Sequence, residues 1–295
     1  RREDNFLACY PWELIAHDGQ SLLLEEVSLT RHLYNAKPCK VDRPPLRVLY
    51  VAPRPVLSAD TWPGYDPALT ADYSQDDHRY IPNDTARSFL ANPDTASVRT
   101  FKELEQRLTL DSSISVIHFD GHITHAQSCM SCEKWVKTGT NCPTCGKELT
   151  GSAKILLAFE QDATDHTVAP VKIEELAGLV RRRQPALVVL YACNSAISPD
   201  VNQGTTGAAQ QLLIEGARCV VGMQAPIYDV SVIRKWFTQT LYEQLSATGS
   251  IATATRAVRR KLEDTGAWWM PVVYLRVDDD PTASLFETAP GLADG

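Results

Sequence analysis

Residues 184–196 read QPALVVLYACNSA, an apolar and largely β-branched run that stops abruptly at Cys193. Small and polar residues follow the cysteine. This pattern predicts a buried strand of a parallel sheet, with Cys193 at the carboxyl edge of that sheet. Open α/β sheets bind and transform ligands just outside the carboxyl ends of their strands, so the thiol lies where chemistry is expected.

A second run, residues 113–122 (SISVIHFDGH), has the same shape and ends at His122. Two neighbouring strands that end in His122 and Cys193 bring a base and a nucleophile within hydrogen-bonding reach. The competing histidine, His118, lies inside the predicted strand, which favours a position in the core. The alternative interpretation of the pair is a buried thiol and a surface imidazole in an inactive relative of an enzyme.

Strand-like and helix-like segments alternate on both sides of these two runs. The alternation predicts an α/β fold with a largely parallel central sheet and helices on both faces. No internal repeat is visible. Further predicted strands are 46–52, 153–160, 217–223 and 268–277, and predicted helices are 96–110, 171–183, 207–216, 230–245 and 250–262. A basic run in the last helix is interpreted as a solvated face: Arg256, Arg259, Arg260 and Lys261.

Composition limits the possible functions. The chain has 295 residues, of which 44% are hydrophobic, and its formal net charge is -7. An acidic total argues against a nucleic-acid-binding surface as the main function, although a local basic patch is compatible with it. No apolar run of about 18 residues occurs, so no membrane span is predicted. The chain begins at Arg1 without a leader-like segment, which we interpret as a piece of a longer protein.

Four of the eight cysteines form two C-x2-C pairs separated by nine residues. This spacing predicts one zinc ion, with two disulfides or free thiols as the alternatives. Four thiolates close the coordination shell, so the zinc is expected to be structural and to hold residues 126–151 as a zinc-ribbon-like insert. Unpaired thiols beside such a site indicate a reducing, cytoplasmic compartment. The predicted ligands are Cys129, Cys132, Cys142 and Cys145.

Seven motifs succeed one another along nearly the whole chain: PWELI, LRVLYVAPRP, VIHFDGH, ILLAFE, ALVVLYACNSA, GAAQQLLIEGARCVVGMQAPIYD and WWMPVVYLRV. Their order and spacing closely resemble the CHAT domain, a caspase-like cysteine protease family of the separase and caspase clan. The resemblance implies a caspase-hemoglobinase fold, hydrolysis of a peptide bond in a protein substrate, and His122 and Cys193 as the catalytic dyad. Members are often attached to sensor or repeat modules, so a regulatory module is an expected partner.

The resemblance also suggests domain boundaries. Residues 46–295 form the expected protease domain, and residues 1–45 an N-terminal hairpin and connector that pack on it. Two features depart from the family pattern. Ile123 follows the histidine where the family usually has Gly, and the first cysteine of the insert, Cys129, comes seven residues after His122, which is expected to place the insert beside the active site.

The implied chemistry names further groups. Backbone N–H groups of Cys193, Gly121 and Ile123 are the candidate oxyanion donors. An imidazole partner is expected to lower the pKa of Cys193, so that alkylation labels this thiol before the others.

Substrate specificity is predicted from Tyr191, which lies two residues before Cys193 and is expected to face the same cleft. Caspases carry Gln at that position, beside a basic pocket for a substrate Asp. Tyrosine supplies no positive charge, so we expect cleavage after a basic or apolar residue unless Arg54 or Arg79 provides the charge. Candidate carboxylates for a basic substrate residue are Asp120, Asp162 and Asp229. The alternatives for Asp120 and Asp162 are that they orient other groups or are solvated loop carboxylates.

Two other functions compete with proteolysis. A catalytically inactive CHAT-like scaffold, or a zinc-stabilised interaction module, would keep the fold without turnover, and the Ile123 departure supports it. A zinc-ribbon nucleic-acid binder would need basic and aromatic residues around the ribbon. Only a few are present, so direct nucleic-acid binding is not expected; they are Lys134, Trp135, Lys137 and Lys147.

Overall fold

The computed structural model describes residues 45–63, 65–66, 97–162, 164, 166–196, 207–227 and 230–276, with short pieces at 14, 16–17, 20–21, 29–32 and 90–91. Predictions that concern Arg79 and Asp229 lie outside the described residues. So does most of the predicted N-terminal hairpin and connector, residues 1–45. Residues 16–17 pair antiparallel with residues 20–21.

The described strands and helices follow one another in the predicted alternation. The strands are β1 (Ala16–His17), β2 (Gln20–Ser21), β3 (Arg31–His32), β4 (Leu46–Val51), β5 (Leu90–Ala91), β6 (Ile114–Asp120), β7 (Ile123–Ser128), β8 (Trp135–Lys137), β9 (Lys154–Glu160), β10 (Val168–Lys172), β11 (Leu187–Tyr191), β12 (Cys219–Met223) and β13 (Pro271–Leu275). The helices are α1 (Phe101–Leu110), α2 (Ile173–Arg183), α3 (Ala208–Glu215), α4 (Val230–Thr248) and α5 (Ile251–Lys261).

Seven of these strands form the central sheet, in the order β3-β13-β12-β11-β6-β4-β5. All neighbouring pairs are parallel except β12 with β13. The predicted mixed α/β fold with a mostly parallel central sheet is therefore confirmed. Because β4, β6 and β11 are parallel neighbours, their carboxyl ends share one edge of the sheet.

Helices cover both faces of the central sheet. Along β11, Val188 and Leu190 pack in a core with α1, α2 and α3, whereas Leu187, Val189 and Tyr191 pack in a second core with α4 and α5. Alternate residues of a strand point to opposite faces, so a strand covered on both faces reads as one continuous apolar run. This explains why the sequence of β11 shows no polar alternation.

A second, four-stranded sheet has the order β10-β9-β7-β8 and is antiparallel throughout. It contains β9, so the expectation that residues 153–160 belong to the parallel central sheet is wrong. The physical reason is burial on both faces: Leu157 and Phe159 join the core under α1 and α2, while Leu156 and Ala158 pack with Trp62. Such an apolar run does not reveal which sheet a strand joins.

Local interactions set the ends of the helices. The predicted helix 96–110 begins at Phe101, because the Thr100 hydroxyl accepts a bond from the Glu103 N–H (3.2 Å) and the Glu103 carboxylate accepts one from the Thr100 N–H (3.1 Å). The basic run of α5 is not wholly solvated, as Arg259 is buried and donates from Nη2 to the Pro271 carbonyl at 2.7 Å. Within the described parts of the chain, no helix has the length and apolarity that crossing a membrane requires.

Candidate active site and metal centre

The predicted neighbour relation of the two key strands is confirmed. Strands β6 and β11 pair in parallel register up to Asp120 opposite Tyr191, and the Gly121 N–H donates to the Tyr191 carbonyl at 3.3 Å. His122 and Cys193 each follow these paired residues by two positions. Since adjacent strands lie about 4.8 Å apart, His122 and Cys193 both follow neighbouring strand ends at one edge of the sheet.

A sharp turn follows β11 and presents the cysteine. Asn194 has a φ of 55°, in the left-handed region that asparagine tolerates better than most residues. The buried Ser195 hydroxyl donates to the Leu190 carbonyl (3.0 Å) and accepts from the Met223 N–H (2.8 Å). Ser195 therefore fastens the turn to β11 and β12, a role that the sequence analysis missed.

A glycine on the neighbouring strand makes room for this turn. A Cβ at Gly222 would lie 3.2 Å from both the Ser195 Oγ and the Ala196 Cβ, closer than nine in ten Cβ contacts. The small residues after Cys193 and the glycine in β12 together allow the turn to pack tightly against the sheet. They are the only sequence signals of this arrangement.

The Cys193 thiol is partly buried and accepts a hydrogen bond from the Ile227 N–H at 3.3 Å. Burial raises the pKa of Cys193 above its usual range, although the Ile227 bond opposes this by stabilising the thiolate. The thiol is therefore neutral near pH 7. This corrects the expectation that an imidazole lowers the pKa of Cys193; that Cys193 is the first thiol to be alkylated stays a prediction.

His122 is also largely buried, with 9% of its surface exposed. Burial lowers its pKa to about 4, and the cations Arg54 and Arg234 act in the same direction, while Asp120 opposes them. The imidazole is consequently neutral at neutral pH. The resting pair is a neutral thiol and a neutral base, not a thiolate and an imidazolium.

Asp120 is the centre of a buried ion-pair cluster. Its Oδ2 lies 2.8 Å from Arg54 Nη2 and 3.2 Å from Arg234 Nε, and its backbone carbonyl accepts a further bond from Arg54 Nη1 at 2.7 Å. The guanidinium charges hold the pKa of Asp120 below its usual range against the effect of burial. Asp120 is thus not a solvated loop carboxylate, and its charge is already compensated, which corrects the expected recognition of a basic substrate residue.

The cluster continues to the second sheet through Arg54. The Arg54 N–H donates to Glu160 Oε1 at 2.7 Å, and Glu160 Oε2 lies 2.9 Å from His166 Nδ1. Glu160 is the last residue of β9 and is buried. Sequence reasoning missed this connection because its members are far apart along the chain.

The predicted specificity residues fall in different surroundings. Tyr191 is fully buried and its ring packs against Phe237 with 5.3 Å between centroids, which corrects the expectation that it lines an open cleft. Asp162 is exposed and accepts bonds from the Thr164 N–H (2.8 Å) and hydroxyl (2.7 Å), so it closes a local turn. A substrate contact of Asp162 stays a prediction.

The three candidate oxyanion donors differ in their backbone bonding. The Gly121 N–H is engaged by the Tyr191 carbonyl. In β7, Ile123 lies opposite Leu157 of β9. The neighbouring residues His122 and Ala158 are joined by a bond from the Ala158 N–H to the His122 carbonyl (3.0 Å), so Ile123 and Leu157 form a non-hydrogen-bonded pair. This directs the Ile123 N–H away from β9. The geometry favours Ile123 over Gly121 as a donor, and the oxyanion role of Ile123 and Cys193 stays a prediction.

His118 has the core position that was expected. It is buried, and its Nδ1 lies 2.9 Å from the Tyr242 hydroxyl. His118 and Asp120 alternate along β6 and His122 follows two residues after its end, which predicts one polar face in an otherwise apolar segment. This period-two pattern was the sequence signal for the buried cluster.

The four cysteines of the insert converge as predicted. Their sulfur atoms lie within 4.8 Å of one another, with 3.5 Å between Cys129 and Cys145 and 3.7 Å between Cys132 and Cys142. Four sulfurs bound at about 2.3 Å in a tetrahedron would be about 3.8 Å apart. The donor set and its dimensions therefore fit a metal ion with tetrahedral thiolate coordination.

Two similar turns build this cluster, so the insert contains a short internal repeat that sequence analysis overlooked. In each turn the first cysteine N–H donates to the carbonyl of a lysine five residues later, at 2.9 Å for Cys129 with Lys134 and 2.7 Å for Cys142 with Lys147. The residue before each lysine has a left-handed backbone: φ is 56° at Glu133 and 72° at Gly146.

The insert does not lie directly beside His122. Strand β7 extends over six residues, Ile123–Ser128, between the histidine and Cys129. At about 3.3 Å per residue this strand spans about 20 Å between His122 and Cys129. The insert was expected directly beside the active site, and the extended strand between them is the reason why it is not.

Taken together, the chain is a mixed α/β protein with a cysteine and a histidine at the carboxyl edge of a mostly parallel sheet and a four-cysteine insert. It belongs to the CHAT domain family, because the family model described as "CHAT domain" matches residues 3–269. That family is caspase-like and related to proteases. No curated protein gives a significant match to the chain.

Proposed function

We propose that the protein is a cysteine endopeptidase with a caspase-hemoglobinase-like fold that cleaves a specific protein substrate. The observation that carries this proposal is the parallel register of β6 and β11, whose neighbouring ends precede His122 and Cys193 at one edge of the sheet. Membership of a protease-related family supports it.

The neutral resting pair determines the order of the proton transfers. His122 removes the proton of the Cys193 thiol as the sulfur attacks the substrate carbonyl carbon, and the carbonyl π electrons move to the oxygen. The Ile123 and Cys193 N–H groups stabilise that oxyanion. Collapse breaks the C–N bond, the imidazolium protonates the leaving amine, and water hydrolyses the thioester with His122 again as base.

The resting state supports regulation by another module. Burial keeps Cys193 a neutral thiol in spite of the bond from the Ile227 N–H, so a change at the sheet edge would be needed for rapid attack. We propose that this domain is the regulated effector part of a larger cytoplasmic sensor protein.

We propose zinc as the metal of the insert. Four thiolates are typical of structural zinc, and they leave no coordination position for water or substrate. The metal would hold the two turns together and take no part in the reaction.

An inactive scaffold is the second candidate, and one observation favours it. Neither Cys193 nor His122 is charged at neutral pH in this conformation. Turnover separates the two functions directly, since a scaffold binds partners without cleaving them.

The test is incubation of the intact protein with proteins encoded beside it. We expect cleavage of one partner, and a loss of more than about a thousandfold for Cys193→Ala and for His122→Ala. Cys219→Ala, which changes a buried cysteine of β12, is the matched control and should cleave normally. Undiminished cleavage by Cys193→Ala would refute the cysteine-protease mechanism.

Specificity stays a prediction: cleavage after a basic or apolar residue. Compensation of Asp120 by Arg54 and Arg234 weakens the basic option and leaves the apolar one unaffected. A peptide-library profile dominated by Asp before the cut would contradict both.

A further inference from the structure

Three charged side chains from three separate segments meet beneath the proposed active site. Asp120 ends β6, Arg54 follows β4, and Arg234 comes from α4. Their side chains are 11%, 8% and 3% exposed. We call this ion-pair cluster the Asp120 clamp.

Arg54 is held at more than one point. Its Nη1 donates to the carbonyls of Pro53 (2.9 Å) and Asp120 (2.7 Å), its Nη2 contacts the Asp120 carboxylate, and its N–H donates to Glu160 Oε1. A side chain bound in this way has lost most of its rotamer freedom. The clamp therefore joins the end of β4, the end of β6 and the end of β9 into one rigid corner.

His122 is two residues beyond Asp120, at the same corner. The charges that act on it are those of Arg54, Arg234 and Asp120. Four other titratable groups around the corner are neutral near pH 7, because burial raises the pKa of the phenols and of the thiol and lowers that of the imidazole. They are Tyr50 from β4, His118 from β6, Tyr242 from α4 and Cys193 after β11. Glu160 from β9 is a further carboxyl group at the corner, where it accepts the Arg54 N–H and lies 2.9 Å from His166 Nδ1.

We propose that the Asp120 clamp is a positioning device for the proposed reaction: it fixes the strand end that carries His122 and sets two guanidinium groups at that end, so that His122 is held in place as the base. This inference rests on the proposed function for its catalytic half only. Burial is the main reason why the imidazole is neutral; Arg54 and Arg234 add cations that disfavour the imidazolium, and Asp120 limits their effect.

The clamp is tested by following the titration of His122 by NMR in the intact, histidine-labelled protein. Arg54→Gln removes a cation and should raise the His122 midpoint by about one pH unit. Asp120→Asn removes the opposing anion and should lower it. Arg54→Lys retains the charge and should leave the midpoint near that of the wild type.

Kinetics supply the second readout. The acid limb of kcat/KM should move to higher pH in Arg54→Gln, whereas Arg54→Lys should lower kcat several-fold at unchanged KM because the two-nitrogen contact is lost. Arg47→Gln is the matched control: it removes an ion-paired arginine (3.0 Å from Asp111) at the opposite end of the same strand and should change neither readout.

Opposite shifts of the midpoint in Arg54→Gln and Asp120→Asn support the clamp, and a merely structural cluster does not produce them. An unchanged His122 midpoint in Arg54→Gln would overturn the proposal. This outcome is decisive by itself, so the test still works if Asp120→Asn fails to fold. If the wild type cleaves nothing, the proposed function fails, but the NMR titration still decides whether the clamp controls His122.

Discussion

Cysteine thiols occupy two regions of this molecule, and these regions differ in what surrounds the sulfur atoms. In the insert, all four sulfurs accept backbone N–H bonds, which lower the pKa of a thiol, while contacts with the neighbouring thiols raise the pKa of Cys132 and Cys145. At the sheet edge, burial raises the pKa of Cys193 against the effect of the bond from the Ile227 N–H. The comparison teaches that the insert offers its sulfurs the N–H donors that stabilise metal-bound thiolates, whereas burial keeps the thiol of the sheet edge neutral.

The two regions also differ in how they depend on the rest of the fold. The insert is made of two local turns, so its four ligands lie within 17 consecutive residues, 129–145. The sheet edge needs β4, β6, β11, β12 and α4 in place at once. A substitution in the insert should therefore disturb only the insert, whereas a substitution at the sheet edge should disturb several strands and helices of the core.

Metal removal should give the largest effect. Cys142→Ser or chelation is expected to abolish zinc binding, which is worth about 10 kcal/mol or more in small zinc domains, and to disorder the two turns. Hydrogen exchange should increase across residues 129–149 and stay low in β6 and β11. Because a strand that spans about 20 Å lies between His122 and Cys129, cleavage should fall less than tenfold.

Cys219→Ala, which leaves the four ligands intact, controls for the loss of a cysteine and should retain one zinc per chain. Carefully prepared protein without zinc would contradict the assignment of the metal. Unfolding of β6 and β11 on chelation would contradict the independence of the two regions.

Acid should weaken the sheet edge before it affects the insert's fold. His118 and His122 have a pKa of about 4 when folded, against 6.5 for an unburied histidine. Between these values the unfolded state binds more protons, so the free energy of unfolding falls as the pH is lowered from 6.5 to 4, by about 3 kcal/mol per histidine. The pKa of Asp120 is lowered in the folded state, so protonation of this carboxylate reduces the free energy of unfolding further only below about pH 3.8.

Denaturant unfolding at a series of pH values measures this loss. His118→Asn should remove about half of it, because one of the two buried imidazoles is gone. A stability that does not change between pH 6.5 and 4 would show that these histidines are not buried as neutral groups.

Ser195→Ala should have a smaller effect, confined to the turn after β11. The substitution leaves the buried Met223 N–H and Leu190 carbonyl without their hydroxyl partner, which costs about 2 kcal/mol. We expect a lower melting temperature and a reduced rate of cleavage with zinc content unchanged. Thr164→Ala, which removes an exposed hydroxyl bond to Asp162, is the control and should change stability by less than about 0.5 kcal/mol.

The sequence allowed accurate prediction of what depends on local spacing. The four ligand cysteines and the strands that end before His122 and Cys193 could be predicted, because a ligand spacing and a strand end are each visible in a short stretch of consecutive residues. The Asp120 clamp could not, because Arg54, Asp120 and Arg234 become neighbours only when β4, β6 and α4 pack together.

Burial explains most of the other differences. The apolar run of β9 indicates a strand covered on both faces but does not say which sheet it joins. The sequence position of Tyr191 predicts on which face of the strand its side chain lies. Only the packing of Phe237 from α4 against its ring shows that this face is buried. For the same reason the raised pKa of Cys193 could not be predicted from a motif.

The most direct test of the central claim, that Cys193 cuts a peptide bond with His122 as its base, is mass spectrometry of an acid-quenched reaction with the cleaved protein substrate. The account predicts that the amino-terminal product is captured as a thioester on Cys193. The adduct should be absent in Cys193→Ala and should not form in His122→Ala. Continued cleavage without any adduct on Cys193, and at the same rate in Cys193→Ala, would contradict it.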